Sequence, residues 1–181
     1  LEASEIEVRL GATWLDKKYI EQFMYETFET PRYLRGQIEI SYVPYTAEWQ
    51  VSRKSMVRYN DVAAFTTYGT DRASAYRLLE DALNLRDIRI YDTIEDADGR
   101  ERRVLNAKET TLAAQKQQLI RDAFKDWIWK DPERRETLVR QYNEEMNSTR
   151  PREYDGSHIV FSGMNPEITL REHQKNAIAH V

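Results

Sequence analysis

Residues 110–131 read TTLAAQKQQLIRDAFKDWIWKD and carry the strongest helical pattern in the chain. The side chains of one predicted face recur at intervals of three and four residues: Leu112, Lys116, Leu119, Ile120, Ala123, Phe124, Trp127 and Ile128. This spacing is typical of an amphipathic α-helix whose apolar face packs on the rest of a domain. Trp129 is out of phase with Phe124 and Trp127, so we expect it to be partly exposed.

Another helix is predicted directly after this one. Asp131 suits the N-cap and Pro132 suits the first helical position. The next apolar residues again have helical spacing: Leu138, Val139, Tyr142 and Met146. We therefore expect the two helices to form a corner.

Two shorter helices are predicted upstream. The first begins after Asp16 and ends before Thr30, because Pro31 disfavours a helical conformation in the residue that precedes it. Its apolar face comprises Tyr19, Ile20, Phe23, Met24, Thr27 and Phe28. The second is capped by Thr70 or Asp71 and ends near Asn84. Its inward face comprises Ala75, Leu78, Leu79, Ala82 and Leu83.

Alternation with a period of two predicts two β-hairpins between these helices. The first places Ile38, Ile40 and Tyr42 on one strand and Trp49 and Val51 on the other, around a turn that starts at Pro44. The second alternates Ile88 and Ile90 with Thr93 or Ile94, turns at residues 96–99 (DADG) and returns over residues 100–107. Glycine at position 99 suits a turn that needs a positive φ.

These elements predict an α+β fold, in which helices pack with short antiparallel β-hairpins. From Asn147 the sequence NSTRPREYDGSHIVFSGMNPE contains two prolines and two glycines and has no helical period. We expect it to be an extended arm that leads into a C-terminal helix beginning near Thr169. The predicted organisation is thus an accessory or connector domain over residues 1–147, followed by residues 148–181.

Composition limits the function classes. The chain of 181 residues has a net charge of -4, so its overall balance does not indicate nucleic-acid binding. It has no cysteine, which excludes disulfides and thiolate chemistry within it. Because no apolar stretch reaches the roughly 18 to 20 residues that cross a bilayer, we expect no membrane partner. The absence of cysteine fits a reducing cytosol, so we expect a cytoplasmic location.

No catalytic motif stands out. The three histidines, His158, His173 and His180, do not form an HExxH pattern, and the chain lacks GxGxxG, GxxxxGK[ST] and GxSxG. The acidic pairs Glu80-Asp81 and Glu144-Glu145 fall on helical faces near cations, where solvated surface is the usual role. We expect no catalytic residue, metal site or cofactor within these residues.

Two basic clusters are candidates for DNA binding, because hairpin arginines contact phosphates in many duplex complexes. One comprises Arg100, Arg102 and Arg103 around the second turn, and the other comprises Arg53, Lys54 and Arg58 after the first hairpin. Local ion pairing is the alternative for the first cluster, since Glu95, Asp96, Asp98 and Glu101 surround it. For the tryptophans, core packing and base stacking both remain open.

The sequence Leu170-Arg171-Glu172-His173-Gln174 resembles the Q-motif region of superfamily 2 helicases, particularly the LRxxQ pattern of the Snf-type branch. RLGATWLDKKYIEQFM near the start and the KDPERR and YDGSH stretches look like the segment between an adenine-DNA-methylase-like region and the helicase motor in very large bacterial proteins of phage and conjugative elements. The resemblance extends from about Gly11 to Val181, so the chain is expected to be a segment of a larger protein.

The resemblance implies that the parent is an ATP-dependent DNA helicase that uses ATP and Mg²⁺, with a phosphate loop beyond Val181. Gln174, with Arg171, would contact the nucleotide only in the intact motor, where a carboxamide offers the edge of adenine one donor and one acceptor. No methylase tetrapeptide of the [DN]PP[YF] kind is present in these residues. The implied partners are DNA and the rest of the same polypeptide.

Two functional hypotheses follow. In the first, the chain is a non-catalytic accessory or linker module of such a helicase or methylase-like protein and contacts duplex DNA through its hairpins. In the second, it is a protein-interaction scaffold that does not bind DNA.

Overall fold

The computed structural model of the chain describes residues 1–148 and 170–179. Helices and antiparallel hairpins make up the fold, which confirms the predicted α+β class. The elements are α1 (Lys17–Thr27), β1 (Ile40–Val43), β2 (Glu48–Val51), α2 (Ala75–Leu83), β3 (Tyr91–Glu95), β4 (Glu101–Leu105), α3 (Ala107–Lys130), α4 (Pro132–Glu145) and α5 (Glu172–Ala179).

The chain divides into two compact units, Leu1–Tyr142 and Asn143–Val181. The division that we predict between residues 147 and 148 stays a prediction. The predicted arm and its YDGSH stretch lie outside the described residues. None of the described helices combines the length and the apolar character that crossing a membrane requires.

Within the first unit, α3 packs against both α1 and α2. The contact with α1 is aromatic: Phe124 meets the ring of Phe23 edge to face, with centroids 5.1 Å apart. Phe23 in turn contacts Trp127 and Phe28, and Phe28 contacts Tyr76 of α2. These edge-to-face contacts join α1, α2 and α3 in one core. The quadrupoles of aromatic rings favour this geometry.

The buried face of α3 differs from the predicted one in its first half. Leu112 and Leu119 are exposed, whereas Ala113 and Gln117 are buried. Gln117 accepts a hydrogen bond from the backbone N–H of Ile88 (3.2 Å) and donates one to the carbonyl of Arg86 (2.9 Å). A buried glutamine therefore satisfies backbone groups of the segment after α2, and leucine could not replace it there.

The caps were predicted correctly for two helices and incorrectly for a third. Asp16 accepts from the N–H of Lys18 at the start of α1, and Asp131 accepts from that of Arg134 in α4. Helix α2 is capped by Ser74, whose side chain accepts from the N–H of Arg77, and not by Thr70 or Asp71. Thr70 instead accepts from the N–H groups of Arg72 and Ala73 in the preceding turn, so its oxygen is already used.

Trp129 near the end of α3 and Met146 after the end of α4 are also the subject of predictions. Trp129 is half-buried, in agreement with the expectation of partial exposure. Met146 lies just beyond the end of α4 and is exposed, so it does not extend the apolar face that we predicted for that helix.

Both hairpins form as two-stranded antiparallel sheets. In the first, Ile40 pairs with Val51 and Tyr42 pairs with Trp49. The second begins at Tyr91, later than predicted. Ile88 and Ile90 are buried ahead of the strand. Their backbone N–H groups donate to α3 side chains and not to a partner strand: that of Ile88 to Gln117, and that of Ile90 to Thr110 Oγ1 at 2.9 Å.

Candidate nucleic-acid interface

The second hairpin, the β3–β4 ribbon (residues 91–105), has little cover from the rest of the first unit. Every residue of β4 is exposed, and so is β3 from Thr93 onward. An isolated two-stranded sheet is only marginally stable in water. The ribbon therefore depends on its attachment at the base.

The base is held by a charged clamp around Asp92. Arg72 donates to Asp92 Oδ1 (2.8 Å) and to the backbone carbonyl of Tyr91 (2.9 Å), while Asn106 donates to Asp92 Oδ2 (2.8 Å). These hydrogen bonds, that from Arg72 first, hold the pKa of the Asp92 carboxyl below its usual range. Strand β3 is thus tied to the turn that precedes α2, and Asn106, which follows β4, is tied to β3.

Helix α3 provides the second attachment. The backbone N–H of Asn106 donates to the carbonyl of Ile90 (2.9 Å), and the Asn106 side chain caps α3 by accepting from the N–H of Glu109 (3.0 Å). The residue that ends the ribbon therefore also begins the helix. This double role fixes the direction in which the ribbon leaves the domain.

The tip of the ribbon is a tight turn ordered by one carboxylate. Asp96 Oδ1 accepts from the backbone N–H groups of Asp98 and Arg100, each at 2.9 Å. Gly99 has a φ of 75°, a conformation that costs glycine little. The predicted DADG turn is thus observed, with Asp96 acting within the turn.

The three ribbon arginines, Arg100, Arg102 and Arg103, are all exposed. Because strand side chains alternate, Arg102 shares a face with Ile94 and Val104 and Arg103 projects from the other face. The guanidinium of Arg103 lies 4.6 Å from the ring centroid of Tyr91. Among the described residues no carboxylate lies within ion-pairing distance of these arginines, so the local ion pairing considered above does not form.

The ribbon also carries acidic side chains. Glu95 and Glu101 are directly opposite each other in the strand register. Like charges at such a position weaken strand pairing. Arg103 stabilises the hairpin through its contact with Tyr91, but the glutamate pair does not, and among the described residues the side chains of Arg100 and Arg102 have no partner in the ribbon. Folding therefore does not explain these four residues.

The other predicted cluster is placed differently. Lys54 forms a salt bridge with Glu80 (2.7 Å), whose Oε2 also accepts from the backbone N–H of Val51 (2.8 Å). Its charge is therefore used to hold β2 against α2. Arg53 and Arg58 are exposed next to it, and Arg53 has a φ of 50°. This cluster follows the packed hairpin and is separate from the ribbon arginines.

Arg171 and Gln174 belong to the second unit, at the start of α5, and both are exposed. Gln174 Oε1 accepts from the backbone N–H of Arg171 at 2.9 Å, as the third helical residue does in a capping box. To read adenine, this oxygen would have to leave Arg171. The nucleotide contact stays a prediction.

Of the three histidines, only one lies among the described residues. His173 is exposed on α5, and His158 and His180 lie outside the described residues. Within residues 1–148 and 170–179, no group of three potential metal ligands comes together.

Sequence reasoning missed the residues that hold the ribbon. Asn106 could have been found, because an asparagine ahead of a helix with glutamate three residues later is a start signal. Arg72 offered no local signal, since its partner Asp92 lies 20 residues further along the chain.

Fold and site together define an α+β domain with an anchored, solvent-exposed β-ribbon. The chain belongs to the family described as Domain of unknown function (DUF8437), whose model matches residues 9–148. No curated protein and no solved structure matches the chain.

Proposed function

We propose that this chain is a non-catalytic accessory module of an ATP-dependent DNA helicase or methylase-like protein and that it contacts duplex DNA through the β3–β4 ribbon. The observation that carries the proposal is the exposed position of Arg100, Arg102 and Arg103 on a hairpin that contributes little to the core. The class of the parent protein is proposed from the resemblance of the LRxxQ, KDPERR and YDGSH stretches described above. ATP and Mg²⁺ belong to the motor of that parent.

A two-stranded ribbon is an element that can contact a duplex. The major groove accepts a two-stranded β-ribbon, and its walls are lined by phosphates. Arg102 and Arg103 project from opposite faces of the ribbon, so a ribbon that enters the groove edge-on directs one arginine toward each wall. Arg100 adds a third cation beside the turn, which also carries Asp96 and Asp98.

The ribbon carries three arginines and five carboxylates, Asp92, Glu95, Asp96, Asp98 and Glu101, so the proposal rests on where the charges lie and not on their sum. Asp92 is neutralised by Arg72 at the base, and Asp96 is bound to two backbone N–H groups. Glu95 and Glu101 lie on the face of Arg103, which leaves the face of Arg102 with no carboxylate between Asp92 and Asp96.

The test is a salt titration of duplex binding with a labelled 20-base-pair DNA. Each phosphate contact contributes about 0.9 to the slope of log K against log salt concentration, so replacing all three arginines by alanine should reduce that slope by about 2.7. The matched control replaces three exposed cations elsewhere, Arg32, Lys130 and Arg140, by alanine. It should leave the slope within about 1 of the wild-type value.

Equal slopes for the ribbon variant and the control variant would refute the proposal. Thermal unfolding of both variants shows whether any loss of binding reflects loss of structure. Because the arginines are exposed, we expect unfolding midpoints close to that of the wild type.

A second candidate function is protein interaction through the same ribbon. Ile94, Val104 and Leu105 are exposed there, and each retains more than a third of its accessible surface. Exposed apolar side chains on an unpaired sheet edge suit β-strand addition by a partner. Absence of duplex binding even at about 50 mM salt would favour this candidate.

A further inference from the structure

Two adjoining clefts lie on the first unit apart from the β3–β4 ribbon. The aromatic cleft, of about 480 Å³, is lined by Trp14, Tyr42 and Trp49 among others. The basic cleft, of about 320 Å³, is lined by Arg9, Arg121 and Lys125, with Gln118 beside them. Glu7, Arg9 and Leu85 belong to the walls of both, so the clefts adjoin, and we refer to the pair as the aromatic–basic groove.

We propose that this aromatic–basic groove binds single-stranded nucleic acid, with bases on the aromatic side chains and phosphates at the cations. Aromatic platforms beside a positive track are the physical basis of such binding. Both cleft volumes fall within the range of about 300–1,000 Å³ that is typical of ligand sites. The inference is independent of the proposed duplex contact.

Charge complementarity identifies an anionic ligand. The basic cleft holds three cations against one carboxylate, Glu7, in a chain whose net charge is -4. Among the described residues, Arg9 and Lys125 have no ion-pair partner, and Arg121 is paired only with the highly exposed Asp87 (3.2 Å). Two of these cations are therefore available to phosphates without breaking a salt bridge.

The aromatic cleft supplies surfaces for bases. Tyr42 keeps 36% of its surface exposed and offers a stacking face. Trp49 is only 6% exposed, so it supports Tyr42, with the two ring centroids 5.0 Å apart at 50°, and does not itself face a base. Trp14 is half-buried and is supported edge to face by Tyr142 at 5.2 Å. A ring supported in this way is held in place, so a base stacks on it with little loss of side-chain freedom.

Leu85 is the most informative residue of the groove. It follows the C-cap Asn84 of α2 with a φ of 57°, at the position where helices favour glycine. Its side chain is 65% exposed and therefore contributes little to the core. A leucine that adopts a strained conformation at the junction of two clefts suits a wedge against a base, which glycine could not provide.

The experiment measures binding of fluorescein-labelled oligothymidylate of ten nucleotides by anisotropy, using the full chain. Trp14→Leu removes a stacking surface and should weaken binding about fivefold or more. The double variant Arg9→Ala/Lys125→Ala should reduce the slope of log K against log salt concentration by about 1.4, since each phosphate contact on a single strand contributes about 0.7.

Two variants provide tests that a purely structural role would not pass. Leu85→Gly should weaken binding while leaving the unfolding midpoint unchanged or raised, because glycine relieves the positive φ. Glu7→Gln removes the one carboxylate of the basic cleft and should tighten binding. Unchanged affinity in both variants overturns the assignment of the groove.

Additional probes distinguish the ligands that could supply both a base and a phosphate. Oligouridylate of the same length tests RNA, and thymidine monophosphate tests a free nucleotide. A ribbon variant with Arg100, Arg102 and Arg103 replaced by alanine should bind the oligothymidylate as the wild type does, so the two sites can fail separately. No binding of any of these probes at low salt, or tighter binding of a decaglutamate peptide, overturns the proposal.

Discussion

The two hairpins of this domain have the same topology but different surroundings. In the first, Ile40, Trp49 and Val51 are buried, and side chains from two helices cover both strand edges. Glu21 of α1 accepts from the N–H of Ile40, whereas Asn84 of α2 binds the N–H and the carbonyl of Trp49. This hairpin is part of the core.

The β3–β4 ribbon has no comparable cover. Its attachments are concentrated at residues 90–92 and 106, and its strands expose both faces. Natural proteins protect sheet edges unless the edge has a use. The first hairpin therefore contributes to the stability of the core. The exposed ribbon contributes little to the core, and we attribute its retention to binding.

The largest difference between the two hairpins is expected when one apolar residue is truncated in each and the loss of unfolding free energy is measured. Trp49→Ala should lower the free energy of unfolding by about 3–5 kcal/mol, as is typical of large aromatic residues in a core. Val104→Ala in the ribbon should lower it by no more than about 1 kcal/mol, because Val104 is partly exposed. Denaturant titrations followed by circular dichroism measure both values, and similar losses would contradict the distinction.

The next effect concerns the segment that leads into the ribbon. Gln117→Leu should cost about 2–4 kcal/mol of unfolding free energy, since the buried N–H of Ile88 and the carbonyl of Arg86 lose their partner. The neighbouring Gln118→Leu is the matched control. Gln118 bonds only to the exposed Asp122, so this change should cost less than about 1 kcal/mol. If the two variants were equally stable, the structural role of Gln117 would be refuted.

The smallest effect is local to the clamp at the ribbon base. Because Arg72 and Asn106 lower the folded-state pKa of Asp92, the clamp contributes fully above the ordinary aspartate pKa of about 4 and is lost as pH falls through the lowered value. Arg72→Gln should raise the pKa of Asp92 toward its ordinary value, and the hydrogen bond from Asn106 should keep part of the lowering. An NMR titration of the carboxyl group measures it.

The same variant has a spatial signature. Amide hydrogen exchange should become faster in residues 93–103, and the amides of α1 and α3 should keep their wild-type protection. Loss of protection throughout the unit would show that the ribbon and the core unfold together.

Most elements of the fold were predictable from periodicity alone. Helices α1, α2 and α4 follow from apolar spacing and, for α1 and α4, from the caps Asp16 and Asp131. The phase of the first half of α3 was not predictable, because Gln117 is polar and its partners lie about 30 residues upstream. A polar residue such as Gln117 is predicted to be exposed unless the backbone groups that it would bind are already known.

The difference between the hairpins was likewise beyond sequence reasoning. Both alternate with a period of two, and the packing of α1 against β1 and of α2 against β2 decides which one is covered. The aromatic–basic groove left a partial signal in Gln118, Arg121 and Lys125, whose spacing places them on one face of α3. That Arg9 and Trp14 would adjoin this face depends on tertiary structure.

One measurement tests most directly the claim that the β3–β4 ribbon serves binding and not folding. Residues 93–103 are replaced by Asn-Gly, which joins the paired residues Asp92 and Val104 through a two-residue turn and keeps the clamp. Unfolding and binding of a duplex are then measured on the same protein. We predict a free energy of unfolding within about 1 kcal/mol of the wild-type value, together with loss of the salt-dependent duplex binding. Failure to fold cooperatively, or duplex binding as tight as that of the wild type, would contradict the account.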